Sequence, residues 1–303
     1  MNFTAKDVQA LREKTGCGMM DCKKALTECD GNMDAAVDYL REKGLASQAK
    51  KASRIAAEGT VAAVVENGIG AVVEVNTETD FVASNDEFKA FVNKVALAVA
   101  KGNPADVDAL LTVTTDEGKT VDELKQDIFL KFRENIQIRR FARYEGAVVT
   151  YVHAGGKIGV MVKFDTDLSV NDEFIAMGKN IAMQIAAMSP AFLDEASVPA
   201  EVIAKEKEIM VAQMKEDPKM ANKPEQVLAK IVDGKMGKYY KENCLVEQQY
   251  VIDNDLTVGK YVENTAKDFG GKISIASYVR FEKGEGIQKR EDDFASEVAS
   301  MIK

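Results

Sequence analysis

Few side chains in this 303-residue sequence are of the types that catalyse reactions or ligate metals. The sequence contains a single histidine, His153, and four cysteines, Cys17, Cys22, Cys29 and Cys244. The first three cysteines lack the paired C-x2-C spacing and the neighbouring histidine that are typical of zinc sites. The sequence also lacks a G-x-x-x-x-G-K-[ST] phosphate-binding loop and a G-x-S-x-G nucleophile turn. We therefore expect no enzyme activity, no metal, no cofactor and no nucleotide bound by the chain itself.

The charge balance excludes other classes of protein. With 40 Lys and Arg against 49 Asp and Glu, the net charge is −9, which argues against a nucleic-acid partner held by phosphate neutralisation. The charged N-terminus has no apolar signal segment, and no uncharged apolar run is long enough to span a membrane. Four cysteines are too few for a disulfide framework, so we expect a cytoplasmic protein with no membrane partner.

Residues 1–54 have the pattern of a small helical module. Apolar residues at helical spacing predict three short helices, and Gly44 is predicted to end the third of them. The polar and basic residues 46–57 that follow predict a linker or a helical connector. A module of this size buries only a small core, so we expect it to bind something.

The middle of the chain contains two copies of one pattern. Each copy begins with Glu-Gly, at Glu58 and Glu145, and two β-rich runs around a glycine turn predict a hairpin. Each continues through Asn-Asp-Glu-Phe into a helix and closes with a strand, starting at Ile136 and Ile273. The apolar stripes of the two helices are Phe88, Phe91, Val92, Val95 and Val99 in the first copy and Phe174, Ile181, Ile185 and Met188 in the second. The pattern predicts an α+β fold with two related subdomains, each a sheet backed by helices. Their predicted bounds are 55–144 for the core N-subdomain, and 145–189 with 257–282 for the core C-subdomain.

The first copy has three more residues than the second between its second strand and its helix, around residues 77–82. A connection longer than the scaffold needs, with the acid Asp80 beside the aromatic Phe81, is a candidate functional site on a rigid support. The alternative is that Phe81 belongs to the core and that Asp80 is a turn or capping residue.

The second copy is interrupted by residues 190–256. Two amphipathic stripes separated by Pro218 and Pro224 predict a helical hairpin, a coiled-coil arm that packs either on its own subdomain or on a second chain. The stripes consist of Val202, Ile203, Ile209, Met210 and Met214, and of Val227, Leu228, Ile231 and Val232. The tail, residues 283–303, predicts a C-terminal helix with Phe294, Val298, Met301 and Ile302 on one face. That helix is either docked on its own body or offered to a partner.

Four segments of the sequence resemble the elongation factor Ts family, the nucleotide-exchange partners of the translational GTPase elongation factor Tu. They are TGCGMMDCKKAL (residues 15–26), TDFVA (79–83), HAGGKIGV (153–160) and EKGEGI (282–287). The resemblance covers essentially the whole chain. It implies a ubiquitin-associated-like N-terminal module, a core of two subdomains, a coiled-coil dimerisation arm and a C-terminal module. Lys157 and Lys235 stand where many relatives have arginine.

The resemblance also implies a partner-binding site at Thr79, Asp80, Phe81 and Val82. This loop would enter the GTPase domain of elongation factor Tu near its magnesium and phosphate site. Phe81 would act as a wedge between partner helices, and Asp80 would help to reorganise the surroundings of the ion.

Further partner contacts are implied outside this loop. Arg12, Met19 and Met20 of the N-terminal module, together with the C-terminal helix, would hold the same partner domain. His153 would face another partner domain, and the alternative is an ordinary surface histidine.

The resemblance implies a guanine-nucleotide exchange factor that binds elongation factor Tu·GDP and promotes GDP release, so that GTP can rebind during translation elongation. One alternative is an RNA- or ribosome-binding accessory protein, for which only residues 50–54 and the pair Arg139-Arg140 supply a basic surface. Another is a cysteine-dependent enzyme, which would need a low-pKa thiol near His153.

Overall fold

A computed structural model describes residues 2–216 and 223–288 of the chain. It divides into two compact units. Among the described residues, the first unit comprises 2–143, Val152–Gly159 and 281–288, and the second comprises Tyr144–Tyr151, 160–216 and 223–280. The mixture of helices and antiparallel hairpins confirms the predicted α+β class.

Three helices open the chain, as the apolar spacing predicts: α1 (Ala5–Thr15), α2 (Met19–Glu28) and α3 (Met33–Lys51). A capping box between Thr4 and Asp7 starts α1, and Gly16 ends it in the left-handed conformation at φ 68°. The three helices pack around a small apolar core, formed by Val8, Leu11, Cys17, Cys22, Ala25, Leu26, Ala36, Leu40 and Leu130.

The predicted role of Gly44 was wrong, because α3 does not end there and continues to Lys51. A Cβ at Gly44 would overlap the side chain of Leu130. The glycine therefore permits close packing of α3 at Leu130, and the first residues of the predicted connector belong to the same helix.

The first repeat forms a three-stranded sheet in the order β1-β2-β3. The predicted hairpin is confirmed: β1 (Glu58–Glu66) pairs antiparallel with β2 (Ile69–Thr77) through the two-residue turn Asn67-Gly68. Both turn residues have positive φ, 51° and 75°, which Asn-Gly adopts readily. The closing strand is β3 (Gln137–Glu145).

Helices cover one face of this sheet. They are α4 (Asp80–Ser84), α5 (Asp86–Gly102), α6 (Val107–Thr112) and α7 (Val121–Phe132). Asn85 caps α5 by accepting a hydrogen bond from Glu87 N at 2.9 Å. The apolar stripe of α5, Phe88, Phe91, Val92, Val95 and Val99, is buried against the sheet as its spacing predicts.

The second repeat forms another three-stranded sheet, β4-β5-β6. Its elements are β4 (Ala147–His153), β5 (Ile158–Thr166), α8 (Asp172–Met188), α11 (Val258–Asp268) and β6 (Ile273–Glu282). Asn171 caps α8, and Phe174 packs edge-to-face on Phe164 with ring centroids 5.3 Å apart. The predicted stripe is buried at Phe174, Ile181 and Ile185, but Met188 is exposed because it occupies the last residue of the helix.

The predicted helical hairpin inside the second repeat is present as α9 (Ala200–Glu216) and α10 (Glu225–Asn243). Met214, Leu228, Val232 and Met236 form its buried core, whereas Ile209 and Val227, which the apolar stripes also contain, are exposed. Residues 217–222, with the predicted break at Pro218, lie outside the described residues.

The predicted C-terminal helix falls largely outside the described part of the chain, which ends at residue 288. Phe294, Val298, Met301 and Ile302 all lie beyond that point. Within the described ranges, no helix combines the length and the apolar character that crossing a membrane requires.

Candidate partner-binding site

The predicted loop begins where β2 ends, at Thr77, and includes the one-and-a-half-turn helix α4. Thr79 is the N-cap of α4, and its hydroxyl accepts a hydrogen bond from Val82 N at 3.4 Å. The connection occupies residues 78–85, and its counterpart in the second repeat occupies residues 167–171 and has no helix. The three additional residues therefore make room for a short capped helix.

Phe81 projects from this helix into solvent with 86% of its surface exposed, the largest value among the large apolar side chains that the structure describes. Val82 and Ala83 beside it are buried. The alternative that Phe81 belongs to the core is therefore wrong. Asp80 is exposed in the first turn of α4, and the cap itself is Thr79. The loop presents one aromatic ring and one carboxylate outward from a buried anchor.

Glu134, which the sequence analysis missed, fixes the base of this loop. Its Oε2 accepts hydrogen bonds from Thr77 Oγ1 at 2.7 Å, Glu78 N at 3.1 Å and Thr79 N at 3.0 Å. Its Oε1 accepts a fourth bond, from Thr79 Oγ1 at 2.6 Å. A comparison of the two repeats could have identified this residue, because Gly271 stands at the corresponding position two residues before the closing strand's first isoleucine.

The predicted contacts on the N-terminal module are also at the surface. Met20 is 73% exposed and Met19 is 44% exposed at the start of α2, and Arg12 is exposed on α1. The neighbouring residue Asp21 forms an ion pair with Arg133 at 2.9 Å, directly beside Glu134 in the chain. This ion pair connects α2 to the segment that holds the loop.

The environments of His153 and of two buried cysteines bear on the alternative of a cysteine-dependent enzyme. It is exposed at the end of β4, where its carbonyl accepts hydrogen bonds from Gly156 N and Lys157 N in a tight turn. Cys244 is buried, and burial raises the pKa of its thiol to about 11. Burial likewise raises the pKa of Cys22. Neither buried thiol has the low pKa that a cysteine nucleophile requires.

The carboxylate, cysteine and histidine side chains of residues 2–216 and 223–288 are dispersed. In those ranges the structure brings together no group of three or more His, Cys, Asp or Glu side chains that could hold an ion. The basic pair of β3 is engaged internally, since Arg139 and Arg140 both pair with the buried carboxylate of Glu74, at 3.1 and 2.6 Å.

The chain is similar to known proteins over its full length. The family model described as Elongation factor TS matches residues 78–285. Proteins named Elongation factor Ts are similar throughout: that of Syntrophotalea carbinolica is 50% identical over 100% of both chains. Those of Clostridium perfringens and Clostridioides difficile are 48% and 46% identical over at least 99% of each chain. The chain belongs to the elongation factor Ts family and is a factor of translation elongation.

Proposed function

We propose that this chain is a guanine-nucleotide exchange factor that binds elongation factor Tu·GDP in the cytoplasm and promotes GDP release, so that GTP can rebind. The observation that carries the proposal is Phe81, 86% exposed on a short helix whose base is fixed. Exposing a large aromatic ring to water is unfavourable. A rigidly held exposed aromatic is typical of the residues that dominate binding at protein interfaces.

Exchange requires differential binding and no covalent chemistry. By linkage, a factor that lowers the affinity of its partner for GDP is bound less tightly by the GDP-loaded partner, by the same factor. Each tenfold loss of GDP affinity requires about 1.4 kcal/mol of additional contact energy with the nucleotide-free partner. Phe81 would supply this energy as a wedge between partner helices, because a buried ring gains a large apolar contact with little loss of rotamer entropy.

Asp80 stands next to this wedge and is also exposed. In the partner, magnesium and phosphate contacts hold the nucleotide electrostatically, so a change in the surroundings of the ion lowers the affinity for GDP. We assign to Asp80 the reorganisation of the ion's surroundings. Val82, which is buried, would hold the helix in place beneath the two exposed residues.

The N-terminal module supplies a second contact surface in this proposal. The exposed Met19 and Met20 form an adaptable apolar surface of the kind that many binding sites use, and Arg12 is exposed on the preceding helix. His153 would contact a further domain of the partner from the turn after β4. Arg139 and Arg140 are engaged with Glu74, so residues 50–54 are the remaining basic segment for an RNA-binding function, and there Arg54 pairs with Glu78 at 3.3 Å.

The proposed function is tested by the release of labelled GDP from elongation factor Tu with and without this chain. Phe81→Ala should lower the stimulated rate by about thirty- to a thousand-fold, equivalent to roughly 2–4 kcal/mol for a hot-spot aromatic. Val170→Ala is the matched control, because Val170 is an exposed apolar residue in the corresponding connection of the second repeat. An unchanged rate for Phe81→Ala, or equal losses in both variants, would exclude the wedge.

We also propose that the arm formed by α9 and α10 mediates self-association, because its exposed Ile209 and Val227 extend its apolar surface outward. The residues that follow the arm pack into the body of the second unit, where Leu245 and Tyr250 are buried. Replacing residues 200–243 by a short Gly/Ser bridge should therefore preserve folding. In sedimentation equilibrium the shortened chain should have the mass of its monomer, whereas the unmodified chain should have the mass of an oligomer. A monomeric mass for the unmodified chain would refute self-association.

A further inference from the structure

Glu134 faces the partner-binding loop because of an unusual turn in the backbone. Helix α7 ends at Phe132, and Arg133 follows in the left-handed region at φ 58° and ψ 27°. Residues other than glycine adopt this conformation rarely, and it persists where the surrounding structure holds it. The turn directs Glu134 to the end of β2, where its four hydrogen bonds converge on Thr77, Glu78 and Thr79.

The second repeat makes the same turn without the carboxylate. Gly270, with φ 75°, stands at the position of Arg133, and Gly271 stands at the position of Glu134. One hydrogen bond is common to both repeats. Asn135 N donates to Glu78 Oε1 at 2.7 Å in the first repeat, and Lys272 N donates to Asp167 Oδ1 at 2.7 Å in the second. In each repeat this bond joins the residues just before the closing strand to the end of the second strand.

The bonds of Glu134 are therefore additional to those that the repeat needs. They occur in the repeat that carries the three extra residues, and they converge on the N-cap of the extra helix. An isolated helix of five residues is unstable in water, because so few hydrogen bonds do not offset the loss of backbone entropy. Something must hold the first turn of α4 in place, and Thr79 is the residue that Glu134 binds twice.

We propose that Glu134 is the positioning residue of the partner-binding loop, holding Thr79 so that α4 presents Phe81 in a fixed orientation. This inference rests on the proposed function of Phe81. A fixed orientation lowers the entropy that must be lost when the ring enters its partner. Glu134 acts through the loop and does not itself need to touch the partner.

The first test measures the loop without any partner. Hydrogen exchange should be faster at the amides of Glu78 and Thr79 in Glu134→Ala than in the unmodified chain, by about tenfold or more, because both amides lose their acceptor. Amides in the β1-β2 ladder should be unaffected. Unchanged protection at Glu78 and Thr79 in folded Glu134→Ala would overturn the inference, whatever the function of the loop.

The second test is a double-mutant cycle on stimulated GDP release from elongation factor Tu. We expect Glu134→Ala to lower kcat/KM about tenfold alone, and less than about twofold further in the Phe81→Ala background, because both act through one ring. Glu134→Gln should stay within about threefold of the unmodified chain, since its amide oxygen has two lone pairs and can still accept from the backbone amides of Glu78 and Thr79. Asp106→Ala, which removes the carboxylate that caps α6, is the control and should have no effect.

The outcomes separate this inference from the proposed function. No loss of rate in Phe81→Ala contradicts the proposed function. A large loss in Phe81→Ala with a normal rate in Glu134→Ala, or losses that add fully in the double variant, contradicts the role of Glu134 alone. If Glu134→Ala fails to fold, a rate for Glu134→Gln as low as that of Phe81→Ala would also contradict it, since Gln retains the acceptor.

Discussion

The two repeats share a set of elements and differ in the connection that carries Phe81, which we propose as the partner-binding loop. In both, a hairpin leads through an Asn-capped helix to a closing strand, and the phenylalanine of the Asn-Asp-Glu-Phe segment is buried in both. The first repeat alone inserts α4 between strand and helix, and it has Glu134 where the second has Gly271. The positions common to both repeats are those that build the hairpin, the capped helix and the closing strand, whereas the proposed partner-binding loop is built from unshared positions.

A second unshared group lies inside the first sheet. Glu74 on β2 is completely buried, and its carboxylate accepts hydrogen bonds from Arg139, Arg140 and the backbone N of Gly284. Lys163 is the corresponding residue of β5, and Ala276 and Ser277 correspond to the two arginines. The Glu74 network thus fastens the segment after β6 to the first sheet, immediately before the C-terminal residues.

The largest expected effect on stability comes from the phenylalanines that stand at corresponding positions of both repeats, in contrast to Phe81, which has no counterpart in the second. Phe88→Ala and Phe174→Ala should each lower the free energy of unfolding by about 3–5 kcal/mol, because both rings are fully buried. Phe81→Ala should lower it by less than about 0.5 kcal/mol, because its ring is already in water. Urea denaturation of the three variants measures this contrast. A loss above about 2 kcal/mol for Phe81→Ala would show that the ring packs in solution.

An intermediate effect is expected at the buried carboxylate. Glu74→Gln should cost about 1.5–3 kcal/mol of unfolding free energy, because two charged hydrogen bonds are weakened and the arginines lose their counter-charge. The arginines are 28% and 30% exposed, so water limits the loss. Lys163→Gln, at the matching position of the second repeat, should change stability by less than about 0.5 kcal/mol. Equal costs at the two positions in thermal unfolding would contradict the assignment of the network to the first repeat.

The smallest effect compares the two left-handed turns. Gly270→Ala should destabilise the chain by about 1–2 kcal/mol, because a Cβ there has space but the backbone at φ 75° disfavours it. Arg133→Gly should change stability by less than about 1 kcal/mol, because relief of strain is offset by glycine's entropy and the lost ion pair with Asp21. Calorimetric unfolding distinguishes them. A neutral Gly270→Ala would mean that this turn changes conformation in solution.

Several features were determined by the sequence alone because they depend on residues close together in the chain. The Asn67-Gly68 turn, the Asn caps of α5 and α8 and the apolar stripe of α5 are local signals, and each gives the expected element. The repeat itself, and the three extra residues around Phe81, are visible in the sequence by comparison of the two copies.

The tertiary structure decided what local patterns cannot encode. Whether Phe81 is buried or exposed depends on which side of α4 faces the core, and that side carries the buried Val82 and Ala83. The N-cap Thr79 is bonded to Glu134, a residue 55 positions away in the chain. Gly44 has the sequence signal of a helix end, yet packing against Leu130 determines its role. In both cases the deciding contact joins residues that are distant in sequence, so the sequence supplies the groups and only the folded chain brings them together.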